Sequence, residues 1–402
     1  MSAPLSPQTE TVTPEPAGAR SSRDLTRWLP TVRDTLVAIV LAFAVGALLI
    51  IVSDEESLEA LGNIIDHPGS FLVYLGDFVR HSASAVFDGY SALVLGSVGS
   101  ASSLERTLER SAPLICAGLG VALAFRAGMF NIGAQGQALV AALAAGYVGF
   151  TFDLPFLVHL CAAVAAALLA GGLWGGVVGL LKARTGAHEV ITTIMLNQVA
   201  RFVVLFFLAK EAFQRPGSNN LETPVVAESA RFPQVFGLHL GIVLAVLAAV
   251  GVWWLLERSR LGFEMRAVGS NPEAARTAGM SVAKVYVAAM ALAGMLSGLA
   301  ACMTVLGLSQ SVTENVMGSV GFDAITVALL GRATPLGTVL AGLLFGALSA
   351  GGVRMQTSAG IPPDLIQVVQ ALIVLFVAAP ALVRGLTRVR RRTTTETKEA
   401  GA

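Results

Sequence analysis

Charge is scarce in this chain. Only 13% of its 402 residues are Asp, Glu, Lys or Arg, whereas a water-soluble domain carries roughly a quarter. That shortage excludes a surface wholly exposed to water. With 54% hydrophobic residues, the natural solvent is lipid. The 27 basic and 26 acidic residues leave a net charge of +1, so no nucleic acid or other polyanion is implied as a partner. Cysteine is rare too. Cys116, Cys161 and Cys302 lie in apolar stretches and form no CxxC, which gives no disulfide framework and no zinc site. There is no GxxxxGK[ST] loop for ATP. His188-Glu189 lacks the second histidine of HExxH and reads as a helix start. No two acidic residues share a mid-span face, as they often do in proton-coupled carriers; this weighs against an ion-coupled secondary transporter. An intramembrane enzyme would need paired carboxylates, a metal site or a nucleophile–base pair at one depth, and the sequence offers none.

What the chain has is apolar runs. They fall at 32–52, 111–126, 130–150, 155–181, 190–209, 237–256, 284–306, 321–331, 334–353 and 363–384. The first is near the ~20 residues that a bilayer requires and too long for a signal h-region of roughly 7–15, so a retained span is expected. The shorter runs, 111–126 and 321–331, suit partial helices buried among their neighbours. The expected fold is all-α, a polytopic transmembrane helix bundle of about 10 spans. Arg20, Arg23 and Arg27, then Lys182 and Arg184, then Arg258, Arg260, Arg266, Arg276 and Lys284, then Arg388 and Arg390 to Arg392 fall on one side in that scheme. That side, with both termini, is placed in the cytoplasm. Residues 1–30 read as a disordered cytoplasmic tail, 31–386 as the transmembrane domain and 387–402 as a basic cytoplasmic tail. Residues 57–104 read as short external amphipathic helices broken at Pro68-Gly69, and Ser102-x-x-Glu105 as the capping box of the next helix. Segment 211–236, rich in proline, should be irregular and external. Glycines four apart, such as Gly171/Gly175/Gly179, Gly294/Gly298 and Gly342/Gly346, allow close helix packing.

The loop 257–284 is charged and patterned. Asn271 can cap a helix, Pro272 suits its first turn and Glu273 its positive end; Ala274, Ala275 and Ala278 favour the helix and Gly279 its stop. A short, preformed helix should project there, as a docking element or as an orderly turn. The start Glu273-Ala274-Ala275 followed by Gly279 resembles the EAA-type coupling loop of ABC permeases. The run from Gly262 to Met280 resembles the branched-chain amino acid, sugar and nucleoside permease family. Phe125-Arg-Ala-Gly-Met-Phe-Asn-Ile-Gly-Ala-Gln-Gly-Gln137 and Glu189-Val-Ile-Thr-Thr-Ile-Met-Leu-Asn197 resemble its nucleoside branch, as do Pro216-Gly-Ser-Asn219 and the run from Leu330 to Gly337. The likeness covers about residues 32–385. It implies a permease subunit of an ATP-driven importer in a bacterial cytoplasmic membrane. The implied partners are two cytoplasmic ATPases, which carry ATP and Mg, a second permease and an external binding lipoprotein, with no cofactor on this chain. It also implies ATPase coupling through Arg266, Asn271, Pro272, Glu273, Ala274, Ala275, Arg276 and Gly279. Where the branch usually has Glu, this chain has Gln135.

Polar residues inside apolar runs mark a candidate substrate path: Asn131, Gln135 and Gln137 among glycines, Thr193 and Asn197 four apart, and Phe322-Asp323 at the start of a run. Amide side chains both donate and accept, which suits a neutral sugar or base, and Phe130 offers a ring face for stacking. The competing reading is hydrogen bonding between helices. A nucleoside is the expected cargo, and a pentose or other simple sugar the alternative.

Overall fold

The computed structural model describes residues 40–378 apart from 42, 219 and 236. The two terminal tails expected at 1–30 and 387–402 lie outside the described residues, as do the side of the membrane on which the termini sit and the final basic cluster. Contacts divide the chain into two units, Leu48–Gln370 and the pair Met1–Ala47 with Ala371–Ala402. The described residues of the second unit continue the first and last helices, and the first unit holds everything discussed below.

The chain is an all-α membrane helix bundle. Its helices are α1 (Phe43–Ser53), α2 (Glu55–Asp66), α3 (Phe71–Val98), α4 (Ala101–Arg126), α5 (Ala134–Thr151), α6 (Phe156–Thr185), α7 (Glu189–Leu208), α8 (Gly241–Arg258), α9 (Arg260–Ser270), α10 (Pro272–Thr277), α11 (Val282–Cys302), α12 (Val320–Leu330), α13 (Pro335–Ala359) and α14 (Pro363–Ala378). A π-helical stretch, Met303–Ser309, extends α11. A two-residue hairpin, β1 (Gln234–Val235) with β2 (Leu238–His239), interrupts the irregular segment before α8. Among the described residues, six helices are long and apolar enough to cross a bilayer: α4, α6, α7, α8, α11 with its π extension, and α13.

Burial ranks these helices. In α4 and α11 78% of the most apolar window is buried, against 28% in α6 and 22% in α7 and α8. The first two form the centre, and the others turn apolar side chains such as Leu169, Leu173, Phe202, Phe206, Val246 and Trp254 outward, as lipid requires. The short run at 111–126 is the inner part of a 26-residue helix, since Ser100, rather than the expected Ser102, caps it by accepting from Ser103 N at 3.1 Å. The run at 321–331 does stay short: α12 has 11 residues, about 16 Å at 1.5 Å per residue. The helices in 57–104 break at Pro68–Ser70 as expected, but the second is 28 residues long rather than short.

Glycine spacing explains the tightest contact. α6 and α11 cross with backbone against backbone. A Cβ on Gly171 or Gly175 would strike the carbonyl oxygen of Gly294 or Met290, and one on Gly179 would lie 2.7 Å from that of Tyr286. Gly176 is different, since its Cβ would meet only Ala291 Cβ at 3.8 Å. Gly294→Ala should therefore lower stability by about 1–3 kcal/mol through overpacking, while Gly176→Ala is neutral or slightly stabilising. Thermal unfolding of the two variants in detergent checks the contrast; equal midpoints would contradict this packing.

Candidate functional site

The bundle has two distinguishable ends. At one, α9 and α10 follow α8, and Gly269 of α9 lies against the turn after α4: a Cβ on Gly269 would sit 2.9 Å from Gly128 N. Arg126 Nε donates to Ala333 O at 2.8 Å beside it. Lys182, in the last turn of α6, pairs with Glu189, which opens α7. At the opposite end, the irregular segment 210–239 closes over the helices: Ala227 N donates to Gly149 O near the end of α5 at 2.8 Å.

Between these ends two helices begin late. After α4 the chain does not return as a helix until Ala134, so 127–133, expected to be partly helical, is an irregular turn. After the π-helical stretch, residues 310–319 descend without regular helix to α12. Lipid cannot solvate free backbone N–H and C=O groups, so protein must, and amide side chains do so here. Asn131 Oδ1 accepts from Gly133 N at 2.9 Å. Asn197 Oδ1 accepts from Gly136 N at 2.8 Å and its amide donates to Ile132 O at 2.9 Å. Asn131 and Gln137 exchange amide hydrogen bonds at 3.2 and 3.3 Å, and Ser297 of α11 donates to Gln137 Oε1 at 3.1 Å. Gln135 bridges the two late starts: its amide donates to Gly318 O, and its oxygen accepts from Gly321 N, each at 2.9 Å. A carboxylate cannot donate to Gly318 O, so glutamine fits this bridge as an ionised glutamate does not.

The structure thus brings Asn131, Gln135, Gln137, Thr193 and Asn197 together around the start of α5, all buried. Thr193 Oγ1 donates to Glu189 O at 2.7 Å within its own helix. Phe130 and Phe322 are apart from that network and exposed, at 41% and 49%. Phe130 packs on Phe125 with ring centroids 4.6 Å apart, and Asp323 accepts from Ser319 Oγ at 2.6 Å. Two features escaped sequence reading. Glu189 joins Lys182 to Phe130, whose N–H points at its carboxylate at 3.4 Å. Arg201, far inside α7, pairs with Glu314 of the 310–319 segment; a lone arginine in the apolar run 190–209 was the available signal.

The expected coupling residues form one projecting unit. Asn271 caps α10, its Oδ1 accepting from Glu273 N at 3.0 Å and Ala274 N at 3.1 Å. Glu273 and Arg276 pair on the surface at 2.8 Å. Gly279, at φ +83°, lets Gly279 N reach Arg276 O and Met280 N reach Ala275 O at 2.9 and 3.0 Å, a closed helix end of the Schellman type. Ala275 is buried against the bundle, whereas Glu273, Ala274, Arg276 and Gly279 are exposed. Arg266 sits on α9 with Nη1 buried and without a hydrogen-bond partner.

A polytopic bundle with buried amide-sealed helix breaks and a capped projecting loop is the build of a transport permease, and comparison with known proteins gives the class. Residues 103–378 match the model of the branched-chain amino acid transport system / permease component family, and the chain belongs to that family. It is 38% identical to the guanosine ABC transporter permease protein NupP of Bacillus subtilis over 87% of this chain and 93% of that one. It is 35% identical to the glucose ABC transporter permease protein TsgB13 of Haloferax volcanii, covering 72% and 79%. With the nucleoside ABC transporter permease protein NupB of Lactococcus lactis it shares 34% identity, covering 73% and 84%. No solved structure matches it.

Replacing Asn197 by Ala strands Gly136 N–H and Ile132 C=O in the interior and should cost about 1–3 kcal/mol for each group left unpaired. Gln135→Glu should destabilise by a similar mechanism, with one lost donation. Thermal unfolding in detergent reads both, and wild-type midpoints would show that the bonds contribute nothing.

Proposed function

We propose that this chain is the membrane-spanning permease of an ATP-binding-cassette importer that carries a nucleoside across a bacterial cytoplasmic membrane. The exposed helix α10, held on part-buried α9, carries the reading. Its start is capped by the Asn271 side chain and its stop is closed by its own backbone bonds from Gly279 N and Met280 N, on one end of the bundle, with Glu273, Ala274, Arg276 and Gly279 exposed to meet a partner. Such an element fits the cleft of a cytoplasmic ATPase, and its conformation does not depend on that partner. The permease itself does no covalent chemistry; ATP and Mg belong to the ATPase. A second permease, homologous or identical, completes the path, and an external lipoprotein delivers the cargo. With α9 and α10 inside the cell, segment 210–239 faces outside.

The nucleoside assignment draws on likeness to the guanosine and nucleoside permeases over most of both chains. The archaeal glucose permease makes a simple sugar the second reading. In this scheme the buried amides around Asn131 and Gln137 hold the break at the start of α5 in shape, while exposed Phe130 and Phe322 present ring faces where cargo passes.

The test is uptake of labelled guanosine, uridine and glucose in cells with and without the chain. Nucleoside uptake should depend on it and stop when the ATPase partner is deleted. Loss of glucose uptake alone would transfer the cargo to sugars, and uptake that survives deletion of the ATPase would end the importer reading. Glu273→Lys and Gly279→Val should each abolish co-purification of the ATPase and cut uptake about tenfold or more, equivalent to about 1.4 kcal/mol of coupling. Intact assembly and uptake in both would show that α10 is not the docking element.

A further inference from the structure

Arg201 and Glu314 form an ion pair beside an apolar helix, where lipid tails would not tolerate it. Arg201 is the thirteenth residue of the 20-residue α7, about 18 Å along the axis from Glu189 and about 10 Å from Leu208. It lies one helical turn beyond Asn197, whose Oδ1 binds Gly136 N in the first turn of α5, so along the axis it sits within the span rather than at its rim. The other described charged groups of α7, Glu189 and the Lys210 that follows, are at its ends. Arg201 Nε donates to Glu314 Oε1 at 2.7 Å, and its Nη2 turns to the same oxygen. The pair is open: the side chains are 55% and 38% exposed.

The segment bearing Glu314 makes the same point independently. Residues 310–312 are tied to the end-capping segment, with Gln310 O accepting from Val226 N and Val312 O from Thr223 N. Val312 packs where a Cβ on Gly146 would sit. Six and nine residues later, Gly318 O and Gly321 N are bound to Gln135. From Gly146 to Gln135 is about 16 Å along α5, so 313–318 descends through the bundle as turns, with isolated bonds from Val316 N to Thr313 O and Gly318 N to Asn315 O rather than a continuous helix. Irregular backbone at that depth persists only where protein buries it or water reaches it. Glu314 is part-exposed and Asn315, Gly318 and Ser319 are exposed. Intramembrane ionisable residues almost always face the bundle interior or a water-filled cavity, and they mark solute pathways.

We propose that the Arg201–Glu314 pair lies on the wall of the aqueous translocation path and contacts the cargo. The inference rests on the importer reading above. The pair adds no net charge to the path. Arg201 keeps Nη1 and Glu314 keeps Oε2 outside their mutual bonds, which sets a donor and an acceptor side by side. That combination matches the neutral polar edge of a nucleobase or a sugar diol without attracting an anion. Arg201 and Glu314 are therefore specificity-determining residues, one on α7 and the other on the irregular descent itself.

The test uses the full transporter, with ATPase and binding protein, carrying Cys161→Ser to remove the exposed native thiol. Arg201→Cys and Glu314→Cys are each exposed to a membrane-impermeant, cationic methanethiosulfonate, with and without guanosine. Both thiols should react, and guanosine should slow the reaction about tenfold. Arg201→Gln should raise the KM for guanosine about tenfold, a loss of about 1.4 kcal/mol. The exchanged pair Arg201→Glu with Glu314→Arg, which keeps the ion pair if the singles misfold, should assemble and shift the ratio of guanosine to uridine uptake. Thiols that do not react, or that react without protection by guanosine, overturn the proposal, as does an assembled exchanged pair with wild-type KM values and selectivity. Wild-type uptake of guanosine is measured alongside. Its absence would refute the cargo reading, whereas unreactive thiols in a transporter that imports guanosine refute only the role of this pair.

Discussion

The structure depends on one constraint: inside a bilayer, each backbone N–H and C=O must find a partner within the protein. Continuous helices meet it automatically, and most of this chain is continuous helix. The two interruptions, at 127–133 and 310–319, are the places where the constraint has to be met by side chains. Asn131 and Asn197 serve the first, and Gln135 ties the second to it. A side chain in this role needs a donor and an acceptor at once, and the amides of Asn and Gln supply them from two separate atoms without a charge. This is why amides, rather than acids or bases, gather at the centre of so apolar a molecule.

Around that centre the packing follows from side-chain size. α4 and α11 can be central because they are flanked by glycine and alanine, and α6 approaches α11 until carbonyl oxygens fill the space a Cβ would take. Without a hydrophobic drive between helices in lipid, such close contact and interhelical hydrogen bonding are what remains to hold a bundle together. The Ser297–Gln137 bond crosses the gap between α11 and α5, so the polar network also acts as a clasp between helices.

Much of this was legible in the residues. Apolar runs located most helices, and the glycine spacing of 171–179 and 294–298 marked faces for close packing without saying that they would meet each other. Asn271, Pro272 and Gly279 specified α10 and its ends, because capping is a local matter decided by neighbours in sequence. The start of α4 was missed by two residues, since Ser100 and Ser102 are equally good caps on paper and only the chain's path selects one. The late starts of α5 and α12 were harder to see. Glycines at 128, 133 and 136 hinted at a break, yet its length is set by partners 61 and 186 residues away, in Asn197 and Gly321. The network could be foreseen as polar residues in apolar runs, but its pairing could not. Arg201 was hidden by the rule that treats a run as apolar when a single charge interrupts it.

The meeting of Gly269 with the Arg126–Gly128 turn has a mechanical consequence. With no Cβ on either glycine, nothing compressible separates the two backbones, and neither can slide inward without the other yielding. In the importer reading proposed above, force applied to the exposed tip of α10 would pass through α9 to the turn that precedes α5, across this one close backbone contact. The lever is short, and its fulcrum sits where two main chains touch.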